Sequence, residues 1–134
     1  MILPTTLCLA TAAAVVNIWL GMRIGQVRHG LKVSVGDGGD ERLVRRMRAQ
    51  ANFIEQAPLT VILFGLIEAV GGARLPWGGA WLAPLAALFI LGRVAHGFGM
   101  DGSFKAGRPI GMLTSYLTQI VLGVFAVGLA VGRF

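Results

Sequence analysis

The sequence predicts an all-α integral membrane protein, a bundle of four transmembrane helices, and three observations carry that prediction. Hydrophobic residues make up 55% of the 134, and the mean hydropathy is +0.73. That is more apolar surface than a soluble fold of this length can cover. Two runs, Met1 to Met22 and Pro109 to Gly132, contain no charged residue, and each meets the roughly 20-residue length needed to cross the hydrocarbon core. Between them lie two further apolar stretches, bounded by turn-forming segments.

The first span, expected over residues 2–33, reads as a membrane helix and not a cleaved signal peptide. It lacks a cationic leader, exceeds a signal's usual apolar length, and is followed by cations, not preceded by them. Gly36-Asp37-Gly38-Gly39-Asp40 then makes a polar loop, with Asp40 placed to cap the second helix. That helix, expected over residues 41–71, would cover about 45 Å at 1.5 Å per residue. Its first two turns, with Arg42, Arg45 and Arg46, would therefore project beyond the lipid. Pro58 removes one backbone hydrogen bond and should kink it. Gly71-Gly72 and Leu75-Pro76 end it, and Trp77 and Trp81 suit the membrane interface. The third helix, expected over residues 77–100, carries Arg93 and His96 one turn apart near its end. The fourth, expected over residues 109–133, begins at Pro109, a residue suited to a first helical turn.

Charge sets the orientation. Seven of the twelve Lys and Arg residues lie between Arg23 and Arg48, and Lys105 and Arg108 add to the third loop. The second loop has Arg74 alone and the tail Arg133. The positive-inside rule then puts loops one and three in the cytoplasm and both termini outside it, across the inner (plasma) membrane in a bacterial cell. The net charge of +6 is thereby explained by topology and anionic lipid headgroups, with no nucleic-acid partner required.

One polar constellation asks for a function. Arg48, Asn52 and Glu55 are spaced by four and three, which puts them within about 60° of one another on a helix. A cation, an amide and a carboxylate at the bilayer edge are costly without a ligand or partner, and a small amino-acid-like molecule offers the complementary groups. Arg93 and His96 arrive at a similar depth from the third helix, with Glu55 and Arg93 an expected ion pair. A polar clamp between helices would produce the same pattern, so the residues alone leave clamp and ligand site equally open. No metal site is expected, because His29 is the only other histidine and no His/Cys cluster has ligand spacing. Cys8 has no basic neighbour to make it a nucleophile. Gly21/Gly25, Gly107/Gly111 and Gly128/Gly132 have the spacing that lets membrane helices pack closely.

The stretch Glu41-Arg42-Leu43-Val44-Arg45-Arg46-Met47-Arg48-Ala49-Gln50-Ala51-Asn52-Phe53-Ile54-Glu55 resembles the signature of the membrane-associated proteins in eicosanoid and glutathione metabolism (MAPEG). Gly92-Arg93-Val94-Ala95-His96 and Gly25-Gln26-Val27-Arg28 are similar to further stretches of that family, notably its prostaglandin E synthase and glutathione transferase branches. The resemblance covers nearly the whole chain as a single domain, residues 1–134. It implies a homotrimer of four-helix subunits with glutathione bound between neighbours toward the cytoplasm. Arg28, Arg48, Asn52, Glu55 and His96 would contact the tripeptide, and Arg93 would be their buried structural partner. Glutathione carries two carboxylates and one ammonium, which arginines and Glu55 can hold respectively, and a nearby cation favours its thiolate.

The departures bear on the chemistry. Where the family's prostaglandin synthases carry an arginine and a serine at the start of helix four, this chain has Gly111 and Met112. Tyrosines of the pattern fall at Met100 and at Ser115, next to Tyr116, and a second arginine of helix two falls at Ala51. The thiol-activating arginine is thus absent from its position, and Arg108 is the nearest replacement, although a headgroup anchor would occupy the same place. The resemblance therefore implies a glutathione-dependent transferase or peroxidase acting on a hydrophobic electrophile or hydroperoxide. The alternative is a non-catalytic member that binds lipid or a partner protein. A proton-coupled four-helix exporter would need a carboxylate midway along helix one, where this chain has only Asn17.

Reporter fusions at Phe134 and near Gly38 test the orientation. The charge asymmetry predicts a non-cytoplasmic signal at the first and a cytoplasmic one at the second. A cytoplasmic C-terminus would put the polar constellation on the wrong face for cytosolic glutathione.

Overall fold

The computed structural model describes residues 2–133, and among them four helices are long and apolar enough to cross a membrane. α1 spans Pro4–Leu31, α2 Glu41–Gly71, α3 Leu82–Met100 and α4 Gly107–Ala130. Short connections fold the helices back on one another. α3 packs most extensively on α4, and α1 on α2.

The helix ends follow local chemistry. Asp40 caps α2 as expected, its carboxylate accepting from the Leu43 N–H at 2.8 Å. α1 ends at Lys32, whose left-handed backbone turns its N–H back onto the carbonyls of Arg28 and His29. The start of α1 has no side-chain cap of its own. Glu68 of α2 supplies one, accepting from the Thr5 and Thr6 N–H groups at 2.9 and 2.8 Å and from the Thr6 hydroxyl at 2.7 Å. This satisfies orphan donors and sets a negative charge at the positive end of the helix dipole.

Two helices differ from the sequence expectation at their starts. α3 begins at Leu82, not at residue 77, because Trp77 and Gly78 take left-handed angles (φ 51° and 61°) inside a short 3-10 turn, Pro76–Gly79. Trp77 is left 85% exposed there, whereas Trp81 stacks on Phe125 at 4.4 Å between ring centroids. α4 begins two residues early, at Gly107. Pro109 is tolerated within its first turn because N–H groups there have no helical acceptor. α2 runs unbroken through Pro58.

The core is an apolar seam that includes Leu9 and Leu20 of α1, Phe53 and Phe64 of α2, Phe89 of α3 and Leu122 of α4. The opposite faces carry exposed Leu7, Val15, Ile62, Leu66, Leu113 and Val124, as lipid-facing helices do. α3 and α4 meet through glycines. A methyl at Gly107 would strike the Ala95 carbonyl oxygen, and one at Gly92 the Thr114 hydroxyl. Of the glycine pairs picked out by spacing, Gly107/Gly111 lies in this contact, while Gly25 and Gly132 face open space. Gly107→Ala should therefore lower stability by about 1–3 kcal/mol, the usual cost of overpacking. Gly123→Ala, with nothing within 4 Å, should not. Thermal unfolding of both variants in detergent checks the contrast.

Candidate functional site

The buried stripe of α2 is Ala49, Phe53, Ala57, Thr60, Phe64 and Ile67. At 100° per residue Asn52 falls about 90° from its centre, while Arg48 and Glu55 fall about 130–155° from it. Both charged residues are accordingly exposed and Asn52 is half-buried. The triplet recognised by its spacing is thus divided: one member turns into the bundle and two turn out.

Asn52 turns toward Arg93. Its side-chain oxygen accepts from the Arg93 guanidinium at 2.7 Å, and a second guanidinium N–H donates to the Ser115 hydroxyl at 3.1 Å. The Ser115 hydroxyl in turn donates a hydrogen bond to the Gly111 carbonyl at 2.8 Å. Arg93 is 1% exposed and lies 6.0 Å from the Phe53 ring centroid. One cation thereby ties α2, α3 and α4. The expected Glu55–Arg93 ion pair is not formed: Glu55 points away from the bundle, and Arg93 uses neutral oxygens instead. For Asn52 and Arg93 the clamp reading describes the geometry. The amide NH2 of Asn52 remains a donor for something outside.

His96 is buried one turn further along α3, with Nδ1 unpartnered. The backbone of Arg108 lies against Gly99, three residues beyond His96 on α3. Arg108 itself is exposed in the first turn of α4. Gly111 faces α3, where a methyl would strike the His96 side chain and the Gly92 carbonyl. An arginine at this position would have to part the two helices. Arg28, on the last turn of α1, lies against α2: one guanidinium nitrogen is 3.5 Å from the Met47 sulfur, and the other is buried without a partner.

Two polar groups escaped sequence reasoning. Arg46 does not project freely, because it joins Arg23 of α1 on the carboxylate of Asp101 at the end of α3. The signal was available in the shortage of acids, six against twelve bases, which marks an acid beside a basic loop as a pairing centre from composition alone. Gln119 of α4 donates to the Gln56 side chain and the Thr60 hydroxyl of α2 at 3.0 and 3.1 Å, a link that no spacing announces. An apolar groove of about 510 Å³ beside Cys8, Ala12, Ala83 and Ala87 lies between α1 and α3 toward the end away from these charges.

Compared with models of known families, the chain matches the one described as MAPEG family over residues 6–128. No curated protein and no solved structure matches it.

The clamp has a measurable consequence. Asn52→Leu leaves one arm of a buried guanidinium without its acceptor, so stability should fall by about 1.5–3 kcal/mol, the range for hydrogen bonds to charged groups. Asn52→Asp should be tolerated better. Unfolding of both variants in detergent distinguishes them.

Proposed function

The chain belongs to the MAPEG family, and from that premise we propose that it is a membrane-bound, glutathione-dependent transferase or peroxidase acting on hydrophobic electrophiles or hydroperoxides. The observation that carries the reading is the exposed Arg48 and Glu55 on the outward face of α2. Opposite charges left facing away from their own bundle near the membrane edge need a partner of complementary charge. Glutathione, with two carboxylates and an ammonium, is such a partner.

In this proposal the protein works as a homotrimer, with glutathione at the cytoplasmic side between α2 of one subunit and its neighbour. Arg48 holds a carboxylate, Glu55 the ammonium, and the free NH2 of Asn52 an oxygen of the peptide. Arg28 adds a second cation with an N–H to spare, and the unpartnered Nδ1 of the buried His96 is the group α3 would offer the ligand. Arg93 holds Asn52 from behind. The apolar co-substrate enters from lipid. In conjugation the thiolate forms a carbon–sulfur bond, and the electrophile's leaving group or π-bond takes the displaced electron pair. In hydroperoxide reduction the thiolate attacks the distal oxygen, releasing alcohol after proton uptake. A second glutathione then displaces water from the sulfenic acid to give the disulfide.

Arg108, aided by the open N-terminus of α4, is the cation proposed to favour the thiolate. One observation favours the second reading, a non-catalytic member that binds lipid or a protein. The close contact at Gly111 replaces the arginine on which the family's chemistry depends.

Calorimetry tests binding. Arg48→Ala and Glu55→Gln should each weaken glutathione by roughly ten- to a hundredfold, the equivalent of one charge-assisted contact. Unchanged affinity in folded protein would leave the clamp alone. Stopped-flow absorbance near ~240 nm follows the thiolate. Arg108→Leu should reduce that band and turnover while glutathione still binds, and a wild type showing neither signal with varied electrophiles favours the binding module.

A further inference from the structure

Asp101 ends α3 at the point where three helices meet, beside the basic loops. One carboxylate oxygen accepts from Arg23 of α1, and Arg46 of α2 reaches both oxygens, at 3.2 and 3.1 Å. Arg46 also donates across to the backbone carbonyl of Arg23 at 2.5 Å. The Arg23 guanidinium is flanked by the Trp19 and Phe98 rings, 4.6 and 4.9 Å from their centroids. The three charged side chains are only 11–18% exposed, so water and salt screen them weakly. One carboxylate therefore holds two guanidiniums together, and without it two confined like charges would repel.

This junction fixes more than itself. Arg46 precedes Arg48 by two residues on α2, and Arg23 precedes Arg28 by five on α1. The Arg28 guanidinium rests on Met47, between Arg46 and Arg48 in sequence. The contact that Asp101 closes thus lies two residues from Arg48 on α2 and five from Arg28 on α1. We propose that Asp101 is a positioning residue for glutathione, holding α1 and α2 at the spacing where Arg28 and Arg48 can grip one ligand. It touches neither the ligand nor the thiol. The inference rests on the glutathione reading above.

The experiment pairs glutathione calorimetry with a distance. Spin labels at His29→Cys and Arg42→Cys, both exposed positions, report the α1–α2 separation in a Cys8→Ala background, diluted with unlabelled protein. Asp101→Asn should lengthen and broaden that distance and weaken glutathione roughly tenfold, since misplacement remote from a site is felt at it. Turnover at saturating glutathione should stay within about twofold, the pattern of a binding defect. Asp101→Glu should recover most of the affinity. Asp101→Asn with Arg46→Gln should recover part, because one of the two repelling cations is gone. A merely structural Asp101 would lower the melting temperature and leave both affinity and distance in the folded protein unchanged, which overturns the proposal. Should Asp101→Asn fail to assemble, Arg46→Gln alone carries the test, with weaker binding expected and unchanged affinity fatal. A wild type that binds no glutathione overturns the parent reading and this inference together. A wild type that binds while the variant binds equally overturns this inference alone.

Discussion

Arg93 is a full cation with 1% of its surface exposed, in a helix apolar enough to lie in lipid. Taking such a group out of water costs several kcal/mol even after relaxation. The cost is offset by charge-assisted bonds to Asn52 on α2 and Ser115 on α4, each worth about 1.5–3 kcal/mol. Because both acceptors belong to other helices, the guanidinium gains these two bonds only when α2, α3 and α4 are assembled in register. The glycine contacts of α3 with α4 follow from the same requirement. A short hydroxyl at Ser115 meets the guanidinium only if the two backbones come close, and Gly92, Gly107 and Gly111 permit that approach.

The rest of the polar inventory divides by direction around this centre. Groups turned inward are spent on assembly: Asn52 on Arg93, Gln56 on Gln119, Glu68 on the start of α1. Arg48 and Glu55, on the far side of α2, are exposed and make no such contact among the described residues. The glutathione proposal is an answer to what engages both charges at once. The Asp101 junction stands between the two sets, since it is an assembly contact placed close in sequence to the arginines of the proposed site.

Charge at the basic end also explains where stability and function would compete. α1 and α2 are joined there by a carboxylate shared between two arginines and by Arg28 lying on Met47. At the other end they are joined by the Glu68 cap and by apolar packing, which need no ligand. A ligand that neutralised Arg28 and Arg48 would reinforce the less balanced end. Binding and helix spacing are then linked by the same charges, which is why the distance measurement carries information that a melting temperature does not.

The four spans, the cap at Asp40 and the grouping of polar residues at one end were legible in the chain, because runs of apolar residues, turn formers and charge counts act locally. The late start of α3 was not, since Trp77 looks helical by composition and takes a left-handed angle only when the chain is forced to turn there. Spacing correctly put Arg48, Asn52 and Glu55 on adjoining positions of α2, but spacing knows nothing of where the neighbours stand. Once α3 packs beside Asn52, that residue is drawn to Arg93 while Glu55 is left facing out. The pairing of Arg23 and Arg46 on Asp101 spans residues far apart in sequence, and opposite charges at such separations choose their partners only when the helices have met. Sequence determined which groups must be satisfied at this end of the bundle; tertiary structure decided which oxygen satisfies each cation, because that depends on distances only packing sets.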